Sequence, residues 1–317
     1  MPAPVENLII LGSGPAGLTA GIYTARANIR PLIIDGATPG GQLMSTSYVE
    51  NWPGHQRILG PDLMMEMRKQ TETLGARFLS ETITALDVSK KPFTLTTDRG
   101  TSLSAHALII ATGATHKRLG CPGENEYWGK GVTVCAVCDG AFYPNKRVIV
   151  VGGGDSAMED ASFLRKFTDK ITVVHLLDKL TASYAMQQRI INDNAVKIIY
   201  NSTVSTIAGD GNHVTSATLV DQKIKQTQTI ETDGIFIAIG LRPNTDFLKN
   251  QLEVDKLGYI IVHDDVKTSV DGIFAAGDVH DYKYRQAITS AGNGCIAAFV
   301  VQEYLQKISD FSKKGIL

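Results

Sequence analysis

Short apolar runs that stop at glycine punctuate the chain. Leu8-Ile9-Ile10-Leu11 ends at Gly12, and Arg147-Val148-Ile149-Val150-Val151 ends at Gly152. Runs this short, without polar alternation, predict parallel strands buried on both faces. Beyond the first glycine turn, Leu18, Ile22 and Ala25 recur at helical spacing and predict a helix over 18–27. A second helix is predicted over 157–166. Strands follow at 30–35 and 171–177. Two further runs match each other: Ala107-Leu108-Ile109-Ile110-Ala111-Thr112-Gly113 and Gly234-Ile235-Phe236-Ile237-Ala238-Ile239-Gly240. Each would close one copy of the same unit. Alternating segments such as Phe93-Thr94-Leu95-Thr96 predict an antiparallel excursion within the first copy, and 214–220 plays that part in the second. The last third returns with Gly272-Ile273-Phe274-Ala275-Ala276-Gly277-Asp278.

The pattern therefore predicts an α/β protein with two Rossmann-like, three-layer nucleotide-binding domains, the second inserted into the first. The first domain would take 1–115 and 243–317, and the inserted domain 116–242. The turns read Gly12-Ser13-Gly14-Pro15-Ala16-Gly17 and Gly152-Gly153-Gly154-Asp155-Ser156-Ala157. Glycines there let the backbone approach a pyrophosphate at a helix N-terminus, where free N–H groups and the helix dipole favour an anion. Asp35 closes the second strand, where an acid can accept hydrogen bonds from a ribose. One such turn is a weak signal. Two, each between a strand and a helix, are a strong one.

Composition narrows the class. The 317 residues suffice for two domains; 43% are hydrophobic, 20% are charged, and the net charge is −1. That balance offers no field for nucleic acid or an anionic membrane. No apolar run reaches membrane-spanning length, and the N-terminal residues show no basic start of a signal peptide. Four cysteines with one tight pair fit a reducing compartment, so a cytoplasmic location is expected.

That pair is Cys135-Ala136-Val137-Cys138, followed by Asp139. Cysteines two residues apart can close a disulfide if a turn or helix start brings their Cβ atoms together. Thiolate is the nucleophile in disulfide exchange, and an adjacent carboxyl can act as general acid or base. Half a zinc site is the first alternative, but no second cysteine pair or paired histidine completes four ligands. Two inert buried cysteines are the second. Cys121 and Cys295 read as small core residues. A dithiol beside two nucleotide turns points to electron transfer between a flavin and a disulfide, with no metal.

At this point the chain resembles the low-molecular-weight thioredoxin reductases. The matching residues are the first glycine turn, Gly40-Gly41-Gln42-Leu43, Glu50-Asn51-Trp52-Pro53-Gly54, Ala111-Thr112-Gly113, Cys135 to Asp139, and Gly277-Asp278-Val279 through Arg285-Gln286-Ala287. The resemblance implies FAD on the first domain. Gly12, Gly14 and Gly17, with Pro15 and Ala16, would face the pyrophosphate, and Asp35 to Gln42 would follow the adenosine and flavin edges. Asn51 would lie near the isoalloxazine, although its segment also reads as an ordinary turn with a packed Trp. Asp278 would bind the ribityl chain, and Arg285, Gln286 and Ala287 would approach the ring. It further implies Cys138 as the flavin-facing thiol, Cys135 as the thiol that attacks thioredoxin, a homodimer, and hinges near 115–117 and 240–243.

One departure stands out. NADPH-using relatives carry two adjacent arginines after the histidine that ends the strand, and a third further on. Arginine suits a 2′-phosphate through paired, charge-assisted bonds. Here the histidine is His175, and the arginine positions read Leu176, Leu177 and Thr181. Asp155 adds a negative charge at the loop. The expectation is that NADPH is doubtful and that a protein such as reduced ferredoxin donates electrons, as in divergent members of the family. Weak NAD(P)H use, or a slow redox-sensing flavoprotein, are the alternatives. Phe311, His280, Tyr282 and Tyr284 are candidates for flavin contact. Tyr127-Trp128 reads as a docking surface or a packed corner. Met64, Met65 and Met67 read as core or interface, and Arg68-Lys69 and Arg165-Lys166 as solvated helix faces.

Overall fold

The computed structural model describes residues 5–46 and 48–313, with side chains as far as Ser309. The chain separates into two compact units, Met1–Thr115 with Arg242–Leu317, and His116–Leu241.

The first unit is built on a seven-stranded sheet in the order Arg77–Leu79, Leu32–Ile34, Val5–Leu11, Ser102–Ile110, Phe93–Thr97, Ile83–Asp87. The first four strands are parallel and the last two join antiparallel. Ile273–Ala275 comes back from far along the chain. It pairs with the end of Ser102–Ile110 that Phe93–Thr97 leaves open. Along Val5–Leu11 the side chains alternate between two cores. Leu8 and Ile10 pack with residues of the helices Pro15–Arg26, Gly60–Thr73 and Ala287–Lys313, such as Leu18, Met64 and Ala297. Ile9 and Leu11 pack on the other side with Phe93, Leu248 and Ile260. Both faces are covered, which is why the strand reads as an unbroken apolar run. Each such side chain contributes roughly 1.5–3 kcal/mol when fully buried.

The second unit repeats the plan in smaller form. Five parallel strands lie in the order Val132–Thr133, Gly234–Ile237, Val148–Val151, Ile171–Val174, Val196–Ile199. A three-stranded antiparallel meander, Ser202–Gly209, Val214–Asp221 and Thr227–Glu231, accompanies them. Val148 and Val150 pack with residues of the helices Asp155–Leu164 and Tyr184–Ile191, and Ile149 and Val151 with residues of the meander.

Four element ends differ from expectation. Both helices begin directly at their glycine loops, Pro15–Arg26 and Asp155–Leu164. The strand Ile171–Val174 stops three residues short. Beyond it the chain folds back over the glycine loop, and the N–H groups of Thr181 and Ala182 both donate to Gly153 O. The C-terminal helix runs through Lys313 instead of ending near Ile308. The Phe311 side chain lies outside the described residues. No helix among the described residues is long and apolar enough to cross a membrane.

Candidate active site

The dithiol sits where a strand hands over to a very short helix. Val132–Thr133 pairs with Gly234–Ile237 at the sheet's edge. Cys135 is extended and serves as N-cap of the helix Ala136–Asp139. That start folds the chain back, so that Cys135 and Cys138 are joined by a disulfide with their Cα atoms 5.3 Å apart. Cys138 N–H donates to Cys135 Sγ at 3.2 Å. Ala136 between them is fully buried, while Val137 and nearby Phe142 are exposed. Asp139 accepts a hydrogen bond from the Thr133 hydroxyl. Burial pushes its carboxyl above the ordinary carboxylate range, and the Thr133 hydroxyl opposes that rise. Burial also pushes the Tyr143 phenol up to about 12. Among the described residues no group of three His, Cys, Asp or Glu side chains could hold a metal ion.

In the first unit, Gly12 has φ +106°, and a Cβ there would lie 2.3 Å from Ala111 O. Gly14 is the uncapped N-terminus of Pro15–Arg26, and a Cβ on it would meet nothing within 4 Å. The helix start is thus open and its N–H groups lack a side-chain partner. Pro15 and Ala16 form its first turn, and Gly17 fits under Gly12 O. Gly40 N–H donates to Ser13 Oγ, and Gly41 lies against Gly14. Leu43 packs on the core. Gln42 Nε2 donates to Ala114 O at 2.8 Å and to Asp278 Oδ2 at 3.4 Å. Asp278, after Gly277, also accepts from Ser290 Oγ at 2.9 Å, and burial lifts its carboxyl to about 6. Asn51 Nδ2 donates to Gln286 Oε1 at 3.3 Å. Arg285 has a left-handed backbone just before Gln286, and Ala287 opens the long helix. Ala111 N–H donates to Leu11 O, and Thr112 and Gly113 are tied to Asn244. These residues, from five stretches of chain, converge around one open glycine loop. The loop's free helix start and the acceptor Asp278 suit a diphosphate with an attached polyol, as in FAD.

Asp35 is already engaged by the protein's own side chains. Its side chain is only 1% exposed, and Arg68 Nη1 donates to Oδ1 at 2.7 Å. Ser80 Oγ donates to Oδ2 at 2.9 Å. Each oxygen keeps a lone pair that a ribose hydroxyl could share. Arg68 is therefore no solvated residue; it also stacks on Phe78 at 4.0 Å. Arg165 likewise pairs with Asp193 and Asp169. Met65 is exposed, unlike Met64 and Met67, and Tyr127 is buried as a packed corner with Arg118 over Trp128. Cys121 and Cys295 are only partly buried. Ser290, Asn244, Ser80 and Thr133 were missed in the sequence, because nothing local marks them.

In the second unit Gly152 repeats Gly12: φ is +145°, and a Cβ would lie 2.3 Å from Ala238 O. His175 holds the position of Asp35, one residue past the strand. A Cβ on Gly153 would lie 2.3 Å from its Nδ1, so the imidazole lies flat against the loop. Its Nε2 is 3.1 Å from Lys179 O, and burial lowers its pKa. Leu176 and Leu177 are 53% and 47% exposed. The Thr181 hydroxyl turns back to Gly153 O at 3.2 Å, and Asp155 Oδ1 accepts from Ser183 N–H at 2.7 Å. Asp178 pairs with Lys223. None of the three expected clamp positions presents a cation.

The chain matches the family model described as pyridine nucleotide-disulphide oxidoreductase over residues 6–294. It is 46% identical over 309 residues to thioredoxin reductase from Streptomyces clavuligerus, covering 96% of each chain. The chain belongs to the low-molecular-weight thioredoxin reductase family. It is an oxidoreductase and flavoprotein with a redox-active disulfide, and FAD is the cofactor expected of the family. Among solved structures it resembles thioredoxin reductase from Giardia duodenalis, with 45% identity, a TM-score of 0.90, and coverage of 95% of this chain and 98% of that one. It is also 44% identical over 310 residues to NADPH-dependent thioredoxin reductase 3 of Arabidopsis thaliana, covering 95% of this chain and 58% of that protein.

Proposed function

We propose that this family member reduces thioredoxin through Cys135 and Cys138, with FAD on the first unit and a pyridine nucleotide on the second. The observation that carries the reading is the disulfide capping a short helix beside a half-buried acid. The electron pair that opens the Cys135–Cys138 bond is the chemistry that FAD would supply when bound. The resulting Cys135 thiolate attacks a thioredoxin sulfur and forms a mixed disulfide. Asp139 delivers a proton to the departing sulfur. Cys138 then attacks Cys135, which releases reduced thioredoxin and restores the disulfide.

The second glycine loop keeps the backbone a nucleotide needs, but the strand end has lost its grip on a 2′-phosphate. Hydrogen bonds to charged groups contribute roughly 1.5–3 kcal/mol each, so two or three missing arginines weaken NADPH by on the order of a hundredfold or more. No free acid replaces them to favour NADH, since Asp178 is paired with Lys223. NADPH and NADH would then bind with similar affinity. Reduced ferredoxin is the second reading, favoured by two exposed leucines where relatives carry cations. The relatives lend ferredoxin no support, and one is NADPH-dependent by name. The earlier preference for ferredoxin therefore yields to the nucleotide. Anaerobic titration at the flavin band decides: both nucleotides should bleach it, with affinities within about tenfold. Bleaching by ferredoxin alone would select the second reading.

A homodimer fits the surface of the first unit. Ile288, Ile296 and Phe299 are exposed on one face of the C-terminal helix, and Phe299 packs edge-on to Tyr23 at 5.5 Å. Sedimentation of the holoprotein should give twice the chain mass.

A further inference from the structure

The Thr133 hydroxyl makes two contacts at once. Its oxygen accepts Cys135 N–H at 3.3 Å, and its proton goes to Asp139 Oδ2. A hydroxyl has one proton and two lone pairs. With a lone pair committed to Cys135, the proton is left to point at the carboxylate. Thr133 itself is buried and sits in register with Phe236 in the parallel sheet. Asp139, by contrast, ends a four-residue helix that could not hold its own geometry in isolation. The acid next to the dithiol is thus anchored to the sheet through a residue two positions ahead of the first cysteine.

We propose that Thr133 is a positioning residue for the thiol–disulfide step: its hydroxyl ties Asp139 and the Cys135 backbone to the sheet and sets the proton affinity of the acid. This rests on the reading of Asp139 as proton donor given above. A donor hydrogen bond favours the ionised carboxylate. It works against burial, which favours the neutral acid. The other groups facing the acid do not take over this role. Cys135 and Cys138 are joined in the disulfide. Tyr143 follows on the same stretch and stays neutral, pushed to about 12 by burial and by Asp139 and Asp233. The helix Asp155–Leu164 packs against this turn and presents Phe163 and Leu164 to Gly140. No cation stands among the causes of the Asp139 shift.

The test compares wild type, Thr133→Val, Thr133→Ser and Asp139→Asn as FAD-loaded proteins. Two readouts are taken: the ¹³C carboxyl titration of labelled aspartate, with Asp139→Asn assigning the signal, and the pH profile of thioredoxin reduction. Valine matches threonine in shape and removes only the hydroxyl. Its loss should raise the Asp139 midpoint and move the kinetic inflection with it, both by about one unit. Serine should return both to the wild-type position, and KM for thioredoxin should stay the same in each. If valine disturbs the strand, Thr133→Ala serves in its place. An unmoved Asp139 midpoint in the hydroxyl-free variant would overturn the role of Thr133. A kinetic inflection that survives in Asp139→Asn, or stays put while the midpoint moves, would instead overturn the role of Asp139.

Discussion

The two glycine loops share a backbone and differ at the residue after the next strand. In the first unit that residue is Asp35, held by Arg68 and Ser80. In the second it is His175, which burial keeps neutral and which lies on Gly153. Both side chains are spent on the protein's own structure. The units part further in the chain just beyond each loop. The first unit gathers Gln42, Asp278 and Ser290 in a chain of hydrogen bonds. The second exposes Leu176 and Leu177.

The sharpest way to break this comparison is a pair of matched substitutions. A Cβ at Gly14 would meet nothing within 4 Å, and one at Gly154 would meet only Thr181 Oγ1 at 3.7 Å. Alanine is thus tolerated by the protein at both, and only a bound ligand can object. Gly14→Ala should fold normally and weaken FAD by on the order of a thousandfold, about 4 kcal/mol, the loss of two or three charge-assisted bonds. Flavin content after gel filtration measures it. Gly154→Ala should keep its flavin and lose reduction by pyridine nucleotides. An unchanged nucleotide titration in Gly154→Ala would leave a protein donor as the better reading.

Next in size is the strand-end residue. Arg68→Ala strands the buried Asp35 charge and should cost about 3 kcal/mol in denaturant unfolding. His175→Ala strands no charge and should cost about 1 kcal/mol. The triple change Leu176→Arg, Leu177→Arg, Thr181→Arg should strengthen NADPH by on the order of a hundredfold while leaving NADH unchanged. The Thr181 position needs its bond to Gly153 O broken first, so the two leucine sites should deliver most of the gain.

A third effect depends on pH and concerns Asp278 in the FAD-free chain. Its carboxyl is lifted to about 6, above the unfolded value of about 3.9. The folded chain then binds the proton more tightly than the unfolded chain. Stability from this group is present at low pH and is lost as pH rises from about 4 through about 6. Asp278→Asn should remove that slope and leave the FAD-free protein up to about 3 kcal/mol more stable at pH 8, with no difference below pH 4. Thermal unfolding across that range reads it directly.

The glycine loops and their strands were legible in the sequence because each rests on neighbours along the chain. Leu8 to Gly17 contains its own strand, turn and helix start. The second strand end was misread, since apolar residues resume at Leu176 and Leu177, whereas the strand ends at Val174 and Thr181 and Ala182 fold back to Gly153. The partner of Asp35 was hidden for a similar reason. That partner, Arg68, lies on a distant helix whose exposed face reads as ordinary charge. Thr133 was invisible because a threonine at a sheet edge carries no signal until the fold shows where Asp139 sits.

Where the chain leaves the first unit and where it returns, each unit is stitched shut across its own gap. Asn244 N–H bonds to Gly113 O on one side, and Lys117 N–H to Gly240 O on the other. Short paired strands, Ala114–His116 and Leu241–Pro243, form the crossing. A module whose two ends meet like a clasp adds almost no loop-closure cost to the host that carries it. The dithiol and the second glycine loop thus travel together as one removable cassette, and a host flavin module could exchange its redox head without rebuilding its sheet.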